Sequence, residues 1–457
     1  MLSERLLQFI WQFQYFNKSE LETTSSESVQ IIAPGQLNSD QGPDFSNAKI
    51  KIGKTTWAGT VELHIKTSDW NKHNHQTDKN YKNVILHVVW EDDGGRNSVP
   101  AGNRNSVPIK GTEQSSVDQT RSLNSVQART EQNSVEQIPI LELKGRVSKI
   151  LLQRYEELMN SNSFIPCESS INTVKEITWK SWKDRLLVER LVRKSAIVQT
   201  YLNQNNFHWE ETFWWLLARN FGIKVNADAF EAIAKSISIN VLANHKTQIH
   251  QLEALLLGQA GLLDAKFSED YPLMLQKEYK FYKNKYSFKT INIPIFFLRM
   301  RPGNFPTIRL AQLAMLVHDS VHLFSKIKEA DSVKDVKAWL DVTANDYWHY
   351  HYKFDDESAY RKKKLGAFMI NNIIINTVCP VLFAYGNYHD DNKYKEKALK
   401  WLEETSAEKN NITQRFQQLG IENKTAFDSQ GLIELKNEYC NKKRCLECGV
   451  GNAILKS

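Results

Sequence analysis

The chain is 457 residues long, 41% hydrophobic and 24% charged, a make-up that excludes fibrous and wholly disordered chains. That length exceeds one typical core, so two domains are expected. The net charge of +7 is compatible with a polyanionic partner such as nucleic acid, although the basic residues are spread along the chain.

The first stretch, MLSERLLQFIWQFQYF, places Leu2, Leu6, Phe9, Ile10, Phe13 and Phe16 at near-helical spacing, with Ser3 as N-cap. It lacks a basic leader and a small-residue cleavage site, so it reads as a helix and the cytoplasm is the expected location. No uninterrupted apolar run reaches the ~18 residues of a membrane span, and no membrane partner is expected. Val29–Ala33 reads as a strand closed by Pro34-Gly35. In Phe45–Ile52, Ala48, Ile50 and Ile52 alternate with Lys49 and Lys51. Gly53-Lys54 turns the chain into the return strand Thr55–Lys66. A polar crossover over 67–82 precedes an apolar strand over 83–90. The stretch that follows repeats an Asn/Ser-Ser-Val unit roughly every nine residues, starting at Asn97-Ser98-Val99. It lacks the apolar content of a solenoid. We read 93–137 as a disordered insertion without a functional role, carried between the two strands, 84–90 and 138–143, of one hairpin.

From Gly145 the periodicity becomes helical. Helices are expected over 146–160, 178–203, 209–220, 227–236, 246–257, 307–328, 333–348, 367–383, 394–408 and 412–419. The expected fold class is α+β. A small mixed-sheet domain spans 1–144, an all-helical domain spans 145–439, and a Cys-rich knuckle spans 440–451.

Strand alternation places Glu62, His64 and Lys66 on one face of 59–66, opposite Val61, Leu63 and Ile65. Asp44, in a Gly-Pro-Asp turn, is their expected partner across the hairpin. An Asp at a strand start followed by Glu-x-Lys on the next strand resembles the PD-(D/E)XK nuclease superfamily, as does the order helix, three strands, crossover, strand. The resemblance implies that Asp44 and Glu62 bind Mg²⁺ or Mn²⁺. This chain has His64 where the superfamily has Lys, so His64 or Lys66 would serve the attacking water.

His73, His75 and Asp78 form a second set. His-x-His on a strand puts both imidazoles on one face, and with Asp78, and His87 as a further candidate, would hold Zn²⁺ or Mn²⁺. The block MRPGNFPTIR sets Arg299, Arg301 and Arg309 beside a helix start, an expected phosphate site. Of five cysteines, Cys440, Cys445 and Cys448 have the C-x₄-C-x₂-C spacing of an iron–sulfur or zinc centre, with Cys167 or a histidine as fourth ligand. Cys379 reads as core.

The blocks IIAPGQLNSDQGPDFSNAKIKI, WAGTVELHIKTSDWNKHNHQTDKNYKNVILHVV, MRPGNFPTIRLAQLA and YCNKKRCLECGVG together resemble an uncharacterised bacterial family, a domain of unknown function. Three readings follow: a metal-dependent phosphodiesterase on nucleic acid, a non-catalytic nucleic-acid or protein-binding module with a structural metal, and a zinc hydrolase built on His73, His75 and Asp78.

Overall fold

Leu6, Leu7, Phe9, Ile10 and Trp11 recur on one face of the first helix, α1 (Glu4–Phe13), and all are buried. Ser3 caps it by accepting from the Leu6 amide at 3.3 Å, and Gln14 ends it in the left-handed region. The Trp11 indole donates to the Pro34 carbonyl at 3.0 Å, fixing α1 beside the sheet entry.

The sheet contains β1 (Val29–Ala33), the two-residue β2 (Gln36–Leu37), β3 (Phe45–Ile52), β4 (Thr55–Lys66), β5 (Val84–Glu91) and β6 (Ile140–Glu142). Its main path runs β1-β3-β4-β5-β6. The pairs β1/β3 and β3/β4 are antiparallel, while β4/β5 and β5/β6 are parallel. This mixed pattern follows from the connections. Gly53-Lys54 allows a tight reversal, whereas the 67–83 crossover returns the chain in the same direction. At Gly59 a side chain would sit 2.5 Å from the Asn83 carbonyl oxygen, so glycine lets β4 approach the start of β5.

The structure is a computed structural model that describes residues 2–38, 40–100, 107–108, 135–298, 300–320 and 322–457. Most of the repeat tract therefore lies outside the described residues. Its described flanks correct two expectations. The strands at 84–91 and 140–142 pair in parallel, not as a hairpin. The chain leaves the sheet, closes an antiparallel neck between Ser98–Pro100 and Val135–Gln137, and re-enters in its former direction.

Two units divide the chain: Met1–Lys175 with Tyr439–Ser457, and Glu176–Glu438. The first joins the sheet to the helix Lys149–Asn160 and to the C-terminal helix Gly449–Lys456. The second is helical and has its own core, with Trp214, Phe221, Phe230, Phe324, Trp348 and Trp401 buried. Fold class is α+β, as the alternation and helical periodicity predict.

Within the helical unit the expected 307–328 segment is two helices, Pro306–Asp319 and Leu323–Glu329. The expected 333–348 segment stops at Leu340. Asp270–Tyr286 is a helix that the sequence reading passes over, because its Tyr and Lys residues blur the apolar stripe. The helical run Ala367–Tyr388 reaches a mean hydropathy of 1.7 and is long enough to span a membrane, yet 72% of that window is buried within the protein. It is a core element, with a π-helical turn at Ile374–Val378 just before Pro380.

Candidate metal centre

Asp44 ends the loop before β3, and Glu62 lies across the hairpin on β4. The Asp44 amide donates to Glu62 Oε2 at 3.0 Å. Asp44 itself is half-buried, and both its oxygens are engaged. Oδ1 accepts from Gln8 Nε2 of α1 at 2.8 Å, and Oδ2 from the Leu63 amide at 2.9 Å. This arrangement holds Glu62 by one oxygen and leaves Oε1 facing inward.

Three imidazoles meet that oxygen's surroundings. Glu62 Oε1 lies 3.5 Å from His64 Nε2 and 3.4 Å from His75 Nε2. One ligand atom each from His64, His73 and His75 lie within 4.8 Å of one another. His75 Nε2 is buried without a hydrogen-bond partner. The backbone that delivers them differs from expectation. His73 and His75 are not on a strand. His73 caps the short helix Asp69–Lys72, and Asn74 adopts φ +59°, so a left-handed turn brings both rings to the same side. His75 stacks on Tyr81 with centroids 3.8 Å apart, and Trp70, fully buried, stands edge-on to His64.

Behind the cluster runs a line of hydrogen bonds. Asn97 Nδ2 donates to the Ile138 carbonyl at 3.0 Å and reaches His87 Nδ1 at 3.1 Å. His87 Nε2 meets His64 Nδ1 at 2.9 Å, and His64 Nε2 meets His73 Nδ1 at 3.0 Å. Since the Asn97 amide must donate, each neutral imidazole keeps its proton on Nε2 and donates to the next. Ligation through His64 Nε2 therefore requires the line to reverse, with Asn97 turning Oδ1, which has no partner, toward His87.

Burial dominates the electrostatics. It pushes His64 down to about 2, helped by the neighbouring His87, His75 and His73, and His87 down to about 3, helped by His75. Both stay neutral, the ligating form. Burial also raises Glu62 to about 8, against the opposing Asp44 amide, and Asp44 to about 7, with Glu62 adding to the rise. Neutral imidazoles give these carboxylates no counter-charge. A divalent cation would supply it, and would give the orphaned His75 nitrogen a partner.

Not every expected residue joins the cluster. Lys66 is exposed at the end of β4; its amide donates to Asp69 Oδ2 at 3.0 Å, and its charge acts on Asp93. Asp78 is exposed and caps the 3₁₀ turn Lys79–Asn83 by accepting from the Asn80 amide at 2.9 Å. It lies within electrostatic reach of His75 but is not one of the converging ligand groups. Conversely, Gln8 and Asn97 were missed, and His87 was only a further candidate. Complete burial of His87 was legible in its apolar strand, but nothing in sequence links Gln8 to Asp44.

The arginine block behaves differently from expectation. Arg299 lies outside the described residues. Arg301 is exposed, while Arg309 is buried, donating to Gln312 Oε1 at 2.9 Å and Asn304 Oδ1 at 2.5 Å. Burial lowers Arg309 to about 10. Two of its guanidinium nitrogens brace the turn, and its Nε is buried without a hydrogen-bond partner. The helical unit also has a cavity of about 520 Å³ beside Lys194, Arg219 and Asn376. There Arg219 is paired with Asp228 and Glu231, and among the described residues no comparable set of ligand atoms gathers.

A family model described as "Protein of unknown function (DUF2851)" matches residues 4–119 and 124–411. The chain belongs to this family. The match includes the whole Asp44–His87 cluster and ends before the terminal cysteines. No curated protein and no solved structure matches the chain.

Proposed function

We propose that this member of the family is a metal-dependent phosphodiesterase acting on nucleic acid, with a divalent transition-metal ion held by Glu62, His64, His73 and His75. One observation carries the reading: the Glu62 Oε1 atom sits between two imidazole nitrogens, one of them buried and unpartnered. The ion would polarise a phosphate oxygen and lower the pKa of bound water. Asp44 acts through Glu62, orienting it by its amide. Trp70 and Tyr81 pack around His64 and His75 and keep water from their rings.

The phosphodiester substrate is supported by topology. An Asp before one strand meets a Glu on the next in an antiparallel β3/β4 hairpin, and a parallel β5 follows a crossover. That order resembles the PD-(D/E)XK nucleases. The net charge of +7 suits a polyanion. A second reading, a zinc hydrolase acting on a different ester or amide, is favoured by the donor set, since three imidazoles suit Zn²⁺ better than Mg²⁺.

Purified protein should cleave single- or double-stranded oligonucleotides with Mn²⁺, Co²⁺ or Zn²⁺, and Glu62→Gln and His75→Ala should lose that cleavage. Unchanged cleavage in both variants would sink the assignment. Stoichiometric zinc, lost in His73→Ala and His75→Ala without any nucleic-acid turnover, would favour the second reading.

A further inference from the structure

The first unit has four cysteines, Cys167, Cys440, Cys445 and Cys448, all buried and none in a disulfide. Cys379, the fifth, sits alone in the helical core. The chain brings the four together by folding the tail, 439–457, onto the segment that follows the sheet. The helix Gly449–Lys456 packs on Lys149–Asn160 and on the short turn Glu168–Thr173. Arg154 donates to the Ile454 carbonyl at 3.3 Å, and Lys443 Nζ bonds the Met159 carbonyl. Cys167 stands at the start of the 168–173 turn and Cys448 at the start of the terminal helix, so the packing of these two elements puts both residues at one interface. Cys167 lies within electrostatic reach of both Cys445 and Cys448.

The tail is built around these thiols. Of its buried apolar side chains, Tyr439, Cys440, Cys445, Cys448, Val450, Ile454 and Leu455, three are cysteines. So short a segment has little else to bury. Its turns are tight: Lys443 takes φ +50°, the Cys448 amide donates to the Cys445 carbonyl at 3.3 Å, and Asn452 bonds the Cys448 carbonyl at 2.8 Å. A side chain at Gly451 would meet the Cys445 carbonyl oxygen at 2.2 Å, so glycine lets the helix lie against the knuckle. Two residues separate Cys445 from Cys448 on a tight turn, four separate Cys440 from Cys445, and Cys167 comes from a packed neighbour, so four side chains of the type that binds thiophilic metals lie in one packed region.

We propose that Cys167, Cys440, Cys445 and Cys448 hold a structural thiophilic metal centre, zinc or an iron–sulfur cluster, that fastens the C-terminal tail to the sheet unit. It is separate from the histidine cluster and does not depend on the hydrolytic reading. Four thiolates close the coordination sphere, so the centre has no open position for substrate. Its role is to stabilise, because binding draws on ligands that are far apart in the unfolded chain.

The full-length protein, purified anaerobically, would be analysed for zinc, iron and acid-labile sulfide. One thiolate-bound centre per chain, over and above any ion at the histidine cluster, is expected in the wild type, retained in a His73→Ala/His75→Ala double variant and lost in Cys445→Ser/Cys448→Ser. Zinc without visible charge-transfer absorption identifies a mononuclear site; iron and sulfide with that absorption identify a cluster. Titrating folded wild-type protein with a mercurial should release the metal as the thiols react, a readout independent of whether the serine variants fold. Neither zinc nor iron–sulfide after reconstitution, or thiols that react with no metal released, would overturn the proposal.

Discussion

Glu62 and Glu253 are two buried carboxylates with similar electrostatics and different surroundings. Burial raises Glu62 to about 8 and Glu253 to about 7. Glu253 Oε2 accepts from the Tyr271 hydroxyl at 2.7 Å and from the Trp348 indole at 2.9 Å. Its neighbours are rigid aromatic donors within the helical core, where it ties Asp270–Tyr286 to the turn at Tyr347–Tyr350. Glu62 instead keeps one oxygen, Oε1, between the Nε2 atoms of His64 and His75. A perturbed carboxylate is thus no marker of chemistry by itself. Glu253 too has a buried oxygen without a partner, Oε1; convergence of several ligand atoms from different residues is what separates the two.

The largest test of this contrast exchanges the carboxylates for amides. Glu62→Gln or His75→Ala should lower metal affinity at the cluster by more than about 100-fold, beyond the usual cost of losing an outer-shell group. Glu253→Gln should leave it unchanged, as equilibrium dialysis would report. If Glu253→Gln alone removed the metal, the contrast would collapse. Stability should respond the other way. Glu253→Ala leaves the buried Trp348 indole and the half-buried Tyr271 hydroxyl without their acceptor, a cost of about 2–4 kcal/mol in denaturant unfolding.

A third test concerns the line behind the cluster. His87→Leu removes the partner of His64 Nδ1 and should weaken metal binding by about 10–100-fold, without changing the ligands themselves. An unchanged affinity would mean that His64 orientation does not matter. Fourth, pH separates the carboxylates. Glu253 binds its proton more tightly when folded, because its pKa is raised from 4.5 to about 7. Its contribution to stability is therefore complete below pH 4.5 and is lost as pH rises toward 7. Glu253→Gln should flatten that part of the stability profile, measured by chemical denaturation across pH 4–8. Smallest of all, Lys66→Ala should change metal affinity less than about twofold, since the exposed side chain touches no ligand.

Much of the cluster was legible because β-strand alternation is strict. Glu62 and His64 share a face, and the turn at Gly53-Lys54 puts Asp44 beside Glu62. The same rule misled at Lys66, where the strand is ending and the side chain reaches water. His73 and His75 were legible as a pair but not as geometry, since a left-handed Asn74, not a strand, aims them. Asp78 caps a turn beside His75, a task that uses the same residue types as metal binding. Helix periodicity placed most of the second unit and failed at Asp270–Tyr286, where tyrosines serve both core and surface. The buried Arg309 shows the limit of reading charge as exposure.

Asn97 opens the first copy of the repeat, yet it belongs to the sheet unit. Its backbone carbonyl accepts from the Ile138 amide at 3.1 Å while its side chain donates to the Ile138 carbonyl at 3.0 Å. Two residues 41 positions apart are thereby clasped, and the intervening chain is closed at its base. Doubling the length of such a closed loop costs only about 0.6 kcal/mol. Fixing Asn97 and Ile138 to each other holds the point where the tract leaves the sheet unit beside His87, at the rear of the histidine line.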